Sequence, residues 1–373
     1  MRNKIIYVLV SSDLTTDNRV ARTCSELYSL GHKLILVGRI KKDSTTLFER
    51  TYQTRRISTL VDKGPLFYAS LSLRLFFILL FRKVDGILAN DLDTLLPAYL
   101  IARLKRIPLV YDSHELFTEV PELIERPRIR NIWLSIEKMI LPKLKYMTTV
   151  NHSIALVFKE KYGILPTVVR NVPYAYTFQK CTRKELGLPE DKFIIIIQGS
   201  GLNIGRGVEE VILALRKLEN LVLLIVGSGD VIQKAKDLTR ENKLEKQVIF
   251  IPRIPYQEMM KYTEVSDLGL SLDKPLGMNY MYSLPNKIFD YLQANIPILC
   301  TDLKEVSRIV KTYECGTVLE QLNEETLVSE LKNLSGNYPL IKKYKENAQS
   351  GAKIENWENE KSKLIEILQR AFN

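Results

Sequence analysis

Histidine and cysteine are scarce in this chain, which limits the metal and disulfide chemistry open to it. Its 373 residues include three histidines and four cysteines. The cysteines, Cys24, Cys181, Cys300 and Cys315, are far apart in sequence and form no Cys-x-x-Cys pair. That spacing is typical neither of a zinc site nor of a disulfide framework. We therefore expect a reducing, cytoplasmic environment and no histidine-rich metal site.

The chain also lacks a long uncharged hydrophobic run. Its longest apolar stretch, residues 65–81, carries Arg74 at its middle and is shorter than the roughly 20 residues that cross a bilayer. The basic N-terminus leads into a strand-length apolar run, residues 5–10, which soon meets Asp13 and Asp17. This is not the pattern of a signal peptide. The sequence predicts neither a secretion signal nor a spanning helix.

Acidic residues are too few in the first half to balance its basic ones. The net charge is +11, and residues 1–170 hold 27 Lys and Arg against 16 Asp and Glu, a difference of +11. The remainder holds 54 − 27 = 27 basic and 43 − 16 = 27 acidic residues and is neutral. This asymmetry indicates an anionic membrane surface or another polyanion as a partner of the N-terminal half. The basic clusters lack the interleaved aromatics of a nucleic-acid platform, so we expect no nucleic-acid partner.

Short β-branched runs alternate with helical segments, and this alternation restarts near residue 193. Such alternation predicts parallel, doubly wound sheets. The expected fold class is α/β, with two Rossmann-like domains facing across a cleft. We expect an N-terminal domain (1–172), a C-terminal domain (183–353) and a closing helix (354–373) that packs back on the first domain. The predicted strands are residues 5–10, 33–38, 55–58, 86–89, 108–111, 147–150, 167–170, 193–198, 221–226, 248–251, 268–272 and 296–300.

The segment 279–300 carries the most information about function. Pro285 is expected to start a helix, whose free backbone N–H groups and dipole attract anions. Ser283, Lys287 and Asp290 then fall on one face. Amides, a cation and a carboxylate together would suit a nucleoside diphosphate. The alternative is a capped helix with a Lys287–Asp290 surface pair.

Glycine-rich turns follow two predicted strands of the second domain. Gly199 and Gly201 lead to Arg206 at a helix start, and Gly229 lies in a similar turn after the next strand. Glycines let a backbone approach phosphate closely, and an arginine there holds the charge. No dinucleotide fingerprint follows the first strand, which disfavours a dehydrogenase.

In the first domain, candidate side chains also follow predicted strands. Asp17 is either a helix N-cap or part of an active-site loop, and both can hold. Asp91 and Asp93 form an Asp-x-Asp triplet, for which a helix cap is favoured over a metal site. His114 ends a buried strand and points to hydrogen bonding or proton transfer. The apolar helix 66–81 either lies in a membrane interface or is buried, and burial is slightly favoured.

With these motifs, the chain resembles the family 4 glycosyltransferases of GT-B architecture along nearly its whole length. Within that family it resembles a bacterial branch whose members often assemble surface polysaccharides. The matching stretches are DNRVARTCSELYSLGH, NDLDTLLPAYLIARLKRIPLVYDSHELFTE, VVRNVP, RGVEEVILAL, LLIVGSGD, SLPNKIFDYLQANIPIL and NWENEKSKLIEIL.

The resemblance implies retaining transfer of a sugar from a nucleoside diphosphate sugar, with no cofactor and no required metal. It places the acceptor on the first domain and the donor on the second. Asp290 takes the place of the ribose-binding acid, and His114 that of the histidine near the reacting sugar. Asp17 falls in the acceptor-side loop. The implied catalytic residues are His114, Asp17 and Arg206; the implied donor-binding residues are Gly199, Gly201, Arg206, Gly229, Arg253, Tyr282, Ser283, Leu284, Asn286, Lys287 and Asp290.

Two positions depart from the family pattern. Many family members have a second acid eight positions before the ribose-binding acid, and that position is Tyr282 here. Family members also commonly have two cations five positions apart, and here the first of those positions is Gly201 and the second is Arg206. The expected function is sugar transfer to a lipid-linked or growing glycan, by a cytoplasmic enzyme that can bind the inner membrane face. A sugar-nucleotide 2-epimerase and a non-catalytic sugar-nucleotide binder are the alternatives.

Overall fold

A computed structural model describes residues 3–15, 17–41, 44, 46–47, 49–59 and 61–373. The chain forms two compact units. Unit 1 comprises the residues up to Asn171 together with Glu360–Asn373, and unit 2 comprises Val172–Asn359.

Unit 1 is built on a parallel sheet of seven strands in the order β3-β2-β1-β4-β5-β6-β7. Its inner strands are apolar runs with both faces covered, which is why Gly86–Asn90 and Leu109–Ser113 are buried throughout. The strand order reverses between β1 and β4, where the carboxyl ends of parallel strands leave a crevice. The strands are β1 (Ile5–Asp13), β2 (Lys33–Arg39), β3 (Gln53–Ile57), β4 (Gly86–Asn90), β5 (Leu109–Ser113), β6 (Tyr146–Thr149) and β7 (Thr167–Val168).

The helices of unit 1 alternate with these strands along the chain. They are α1 (Asn18–Ser29), α2 (Pro65–Leu80), α3 (Leu92–Lys105), α4 (Pro121–Ile124), α5 (Pro127–Ile140) and α6 (His152–Tyr162), with 3-10 turns at Phe117–Glu119 and Leu141–Lys143. The closing helix α15 (Trp357–Phe372) brings its last turns into this unit. Gly86 leaves room for Phe372, since a Cβ there would lie 2.7 Å from the phenylalanine ring. The predicted packing of the closing helix on the first domain is confirmed.

Unit 2 repeats the plan with a parallel sheet of six strands in the order β10-β9-β8-β11-β12-β13. Its strands are β8 (Phe193–Gly199), β9 (Leu221–Gly227), β10 (Val248–Ile251), β11 (Leu268–Ser271), β12 (Ile298–Thr301) and β13 (Gly316–Leu319). Its helices are α7 (Val208–Leu215), α8 (Val231–Glu241), α9 (Tyr256–Glu264), α10 (Met278–Met281), α11 (Lys287–Gln293), α12 (Lys304–Tyr313), α13 (Glu324–Gly336) and α14 (Tyr338–Ile354). The prediction of two doubly wound α/β units is confirmed, although strand β13 was not predicted.

The helix in the segment 279–300 begins later than the sequence predicts. Helix α11 starts at Lys287 with Asn286 as its N-cap, so Pro285 is not the first helical residue. Pro285 instead begins a turn, in which its carbonyl accepts the N–H of Ile288. Among the described residues, no helix is both long and apolar enough to cross a membrane.

Candidate functional site

In unit 2, a buried carboxylate joins two of the predicted donor-binding cations. Asp273 follows β11 and is fully buried. Its Oδ2 lies 2.9 Å from Nη1 of Arg206, and its Oδ1 lies 3.5 Å from Nζ of Lys287. We call these three residues the Asp273 cluster. Because it holds two cations and one carboxylate, the Asp273 cluster carries a net positive charge at the carboxyl edge of the sheet.

The loop before α7 is tied down in a way that places Arg206. The N–H of Lys274 donates to the carbonyl of Gly205, which fixes the loop beside the end of β11. The guanidinium of Arg206 lies over the ring of Tyr280, 4.3 Å from its centroid, a favourable cation–π arrangement. Its Nε is buried and has no hydrogen-bond partner within the described part of the chain. A donor in that state is ready for an acceptor from a ligand.

Burial disfavours the charged form of Lys287, and a nearby anion would reduce that cost. Burial lowers its pKa and Arg206 lowers it further, while Asp273 partly opposes them, and the net direction is down. A phosphate near Nζ would favour the ammonium form. The alternative Lys287–Asp290 surface pair is wrong, because both side chains are buried and each has a different partner.

Asp290, three residues further along α11, is held by neutral donors. Its Oδ1 accepts from the hydroxyl of Tyr256 at 2.8 Å and its Oδ2 from Nε2 of Gln198 at 3.2 Å. Gln198 is itself oriented, since its Oε1 accepts from Oγ1 of Thr263 at 2.6 Å. Through α11 and the Asp273 cluster, the structure brings Arg206, Lys287 and Asp290 together in one region of unit 2.

The glycine turns of unit 2 pack against each other and border a cavity. The N–H of Ser228 donates to the carbonyl of Gly199. Gly229 cannot carry a side chain, because a Cβ there would lie 2.1 Å from the carbonyl oxygen of Leu202. The cavity measures about 500 Å³, and its wall includes Gly229, Phe250 and Arg253. Gly201 differs, since a Cβ there would meet no atom within 4 Å.

The remaining predicted donor residues lie in the turn before α11. Nζ of Lys304 is 5.5 Å from the ring centroid of Tyr282. The hydroxyl of Ser283 donates to the carbonyl of Tyr280 at 2.9 Å. Leu284 is half-buried in the same turn, and Asn286 is exposed as the N-cap of α11 without a capping side-chain bond.

In unit 1, His114 is held between two carboxylates at the ends of neighbouring strands. Its Nδ1 lies 3.1 Å from Oδ2 of Asp91, and its Nε2 lies 3.1 Å from Oδ2 of Asp112. Its backbone N–H also donates to Oδ1 of Asp91. Carboxylates only accept, so both ring nitrogens must carry protons to make these bonds. Burial lowers the pKa of His114, but Asp91 and Asp112 outweigh it and raise it well above its ordinary value.

A residue that the sequence did not single out supports this arrangement. Arg19, in the first turn of α1, donates to Asp112 through Nε at 2.9 Å and Nη2 at 2.7 Å. Its Nη1 donates to the carbonyl of Val169. Thr148 Oγ1 is another donor to Asp112, at 2.7 Å. Burial alone would raise the pKa of Asp112, yet Arg19 and His114 hold it well below its usual range.

Asp17 caps helix α1, as one of the two readings of this residue predicts. Its carboxylate accepts the N–H of Val20 at 3.0 Å and the hydroxyl of Ser12 at 2.9 Å. The cap prediction for the Asp-x-Asp triplet is wrong: Asp91 occupies the N-cap position of α3 without a capping side-chain bond, and Asp93 is buried inside the first turn. The pKa of Asp93 is raised to about 7, mainly by burial and secondly by the negative charge of Asp91. Among the described residues, no group of three or more His, Cys, Asp or Glu side chains has an arrangement that could hold a metal ion.

Comparison with known proteins identifies related families for both halves. Residues 17–174 match the model of Glycosyltransferase Family 4, and residues 178–351 match the model of Glycosyl transferases group 1. Among the curated proteins, none matches the sequence.

Solved structures of low sequence identity share the fold over nearly the whole chain. Sucrose-phosphate synthase from Thermosynechococcus elongatus is 15% identical, with a TM-score of 0.83 and 99% of each chain covered. HepE from Anabaena, solved with UDP and glucose, is 14% identical with a TM-score of 0.75, covering 99% of this chain and 100% of its own. WaaG, a glycosyltransferase involved in lipopolysaccharide biosynthesis, is 16% identical with a TM-score of 0.71, covering 98% of this chain and 99% of its own.

Proposed function

We propose, from the premise that this chain belongs to the family 4 glycosyltransferases, that it transfers a sugar from a nucleoside diphosphate sugar to a lipid-linked or growing glycan, with retention of configuration. The observation that carries the proposal is the Asp273 cluster together with Asp290. Together they set two cations, Arg206 and Lys287, and two carboxylates, Asp273 and Asp290, at the carboxyl edge of the unit 2 sheet. Such an edge is where doubly wound sheets bind nucleotides.

The diphosphate would lie against Arg206 and Lys287. Breaking the bond between sugar and diphosphate leaves negative charge on the phosphate, and two fixed cations stabilise that charge without reorganising. The buried Nε of Arg206 would gain an acceptor, and the lowered pKa of Lys287 would rise on binding. Asp273 would keep both cations in place while the site is empty of anion.

The nucleoside would occupy the region between Asp290 and the cavity beside Gly229. The hydrogen bonds from Tyr256 and Gln198 orient the Asp290 carboxylate, which suits an acceptor of ribose hydroxyls. The cavity of about 500 Å³ is bordered by Phe250 and Arg253, and its volume lies in the range of small-molecule pockets. Two HepE structures, solved with UDP and with UDP-glucose, support a nucleoside diphosphate sugar as donor.

In unit 1, His114 would act as a fixed positive charge rather than as a proton acceptor. Asp91 and Asp112 occupy both of its ring nitrogens. In the proposed reaction the acceptor hydroxyl attacks the sugar carbon from the face that the diphosphate leaves. The new carbon–oxygen bond replaces the old one, and the acceptor proton passes to the departing phosphate. This route needs no metal and no protein base.

Thermal denaturation with nucleotide sugars tests the donor site. We expect one of the uridine, guanosine or cytidine diphosphate sugars to raise the melting temperature, since a ligand that binds only the folded state stabilises it. Arg206→Gln should abolish that shift. Arg216→Gln is the matched control, because Arg216 is an exposed arginine of unit 2 that pairs with Glu324. No shift with any of these sugars would contradict the proposal.

Product analysis separates the two alternative functions. A 2-epimerase would convert the donor sugar without any acceptor present. A non-catalytic binder, an alternative raised by Tyr282 and Gly201 at altered positions, would show the thermal shift but no product with any lipid-linked glycan. Transfer that is lost in Arg206→Gln and kept in Arg216→Gln would exclude both.

A further inference from the structure

We propose that the exposed faces of α2, α3 and α5 in unit 1 form a docking surface for an anionic lipid bilayer. We call this surface the α2–α3–α5 face. The proposal deepens the proposed transfer to a lipid-linked acceptor, and it rests on that function for its biological meaning.

Helix α2 is apolar on both sides, yet only one side is buried. Phe67, Leu71, Leu75 and Leu79 pack into the unit. On the opposite side, Leu66, Leu73, Phe77 and Phe81 follow one another at helical spacing and are exposed by 71%, 59%, 51% and 76%. The predicted burial of this helix therefore holds for one face only. A monomeric soluble protein rarely leaves such a contiguous apolar stripe uncovered.

The neighbouring helices extend the same surface. The chain moves in one direction across the sheet from β3 to β4, β5 and β6, so right-handed crossovers place α2, α3 and α5 on the same side. Helix α3 packs against both α2 and α5. It exposes Leu104, and α5 exposes Ile132, each by 63%. Three parallel helices thus present large apolar side chains side by side.

The charge on this face has a single sign. Its exposed cations are Arg74, Arg82, Lys83, Arg103, Arg106, Arg128 and Lys138. The only acids within the three helices are Asp93 and Glu137, and both are buried. Exposed acids nearby are Glu122 and Glu125, on or beside the short helix α4, and Asp62, three residues before α2, which pairs with Arg39. The face therefore combines an apolar centre with a positive surround.

This combination favours a lipid surface over other occupants. Apolar side chains at helical spacing can enter the boundary between headgroups and acyl chains, while long Arg and Lys stems reach back to phosphate. A second copy of the same face would bring like charges together. A nucleic acid would use the cations but leave the aliphatic stripe exposed. An anionic bilayer can accommodate the apolar stripe and also pair with the cations around it. The net charge of +11 on residues 1–170 adds to the attraction for an anionic surface.

Co-sedimentation of the full chain with vesicles tests the surface. We expect binding to vesicles of equal parts phosphatidylcholine and phosphatidylglycerol, weak binding to phosphatidylcholine alone, and loss of binding at high salt. The double variants Phe77→Ser with Phe81→Ser, and Arg82→Ala with Lys83→Ala, should each weaken binding by about tenfold or more. Both pairs are exposed, so thermal melting should stay close to that of the parent.

A matched variant in unit 2 controls for general loss of exposed groups. Tyr338→Ser with Lys342→Ala removes an exposed aromatic and an exposed cation there and should leave vesicle binding unchanged. Equal binding to both vesicle types, or no effect of either unit 1 variant on binding, would overturn the proposal. Self-association of the protein that only the Phe77 and Phe81 double variant abolishes would also overturn it. The thermal shift with nucleotide sugars should persist in every variant, so failure of the surface is distinguishable from failure of the donor site.

Discussion

Nε2 of His114 lies 3.1 Å from Oδ2 of Asp112. The same carboxylate accepts two hydrogen bonds from Arg19, so Asp112 connects the first turn of α1 with the end of β5. Asp91 faces the other ring nitrogen of His114. His114, which the sequence identified as a candidate, is therefore one member of a buried charge network. Its protonation state is determined by the neighbouring carboxylates.

Loss of Arg19 should destabilise unit 1 strongly. Arg19→Met would leave Asp112 without its guanidinium partner, and breaking a buried ion pair from one side costs about 3–5 kcal/mol. Urea unfolding followed by Trp133 fluorescence, in a Trp357→Phe background, reports on this unit. Arg103→Met is the control, because Arg103 is an exposed arginine of α3. A loss similar to that of the control would mean that the pair contributes little.

His114 should remain protonated through the neutral range. Its pKa is raised well above the ordinary value by Asp91 and Asp112 against the effect of burial. A raised basic pKa stabilises the fold fully below the unfolded value of about 6.5, and that contribution is lost as pH rises through the folded value. Nitrogen NMR of labelled imidazoles checks this, with His32→Gln and His152→Gln to assign signals.

The groups that face His114 determine the expected shift. These are Asp91 and Asp112 in direct contact, with Arg19 and Asp93 behind them. Asp91→Asn should lower the pKa of His114 markedly, since it removes one of the two negative charges on the ring. Titration of the parent signal at the ordinary histidine pKa would show that the ring is not held as an imidazolium.

Asp93 should make the protein less stable as pH rises toward 7. Burial and Asp91 raise its pKa to about 7, whereas an unfolded aspartate titrates near 3.9. The folded state therefore binds more protons between these values, and the free energy of unfolding falls with pH across that window. Asp93→Asn should remove this fall and stabilise the protein at slightly alkaline pH by up to about 4 kcal/mol.

Urea unfolding at acidic and alkaline pH measures the effect. Asp191→Asn is the control, because it makes the same chemical change at an exposed position. An identical pH profile in the parent and in Asp93→Asn would show that the Asp93 carboxyl titrates normally in the folded protein.

Local sequence patterns predicted most of the strands and part of the candidate site. Continuous apolar runs such as residues 193–198 mark buried parallel strands, and Asp17 fits the local chemistry of an N-cap. Pro285 was placed wrongly, because a proline is equally suited to the turn that precedes a helix as to its first residue.

The missed residues act through long-range contacts. Arg19 and Asp112 are 93 positions apart, and Arg206 and Asp273 are 67 apart, so no periodicity links them. One signal was available, since Asp273 comes at the carboxyl end of a buried strand, as Asp112 and His114 do. Acids at those ends are candidates for a site, but their partners depend on the order of strands in the sheet.

Restoring a cation at Gly201 should strengthen nucleotide binding. The resemblance to family 4 implies a cation at this position, five residues before Arg206. The structure has room for it, because a Cβ at Gly201 meets no atom within 4 Å. A charged hydrogen bond to phosphate contributes about 1.5–3 kcal/mol, so Gly201→Arg should lower the dissociation constant for the donor diphosphate by about tenfold or more.

Calorimetric titration with the nucleoside diphosphate selected by the thermal screen measures this change. Gly201→Gln is the control, since it adds a side chain of similar reach without the charge. A gain shared by both variants would point to loop stiffening, because replacing glycine reduces the freedom of the unfolded chain. Weaker binding in Gly201→Arg alone would place the phosphates away from this loop, and the donor would then have to be held by the Asp273 cluster without help from the glycine turns.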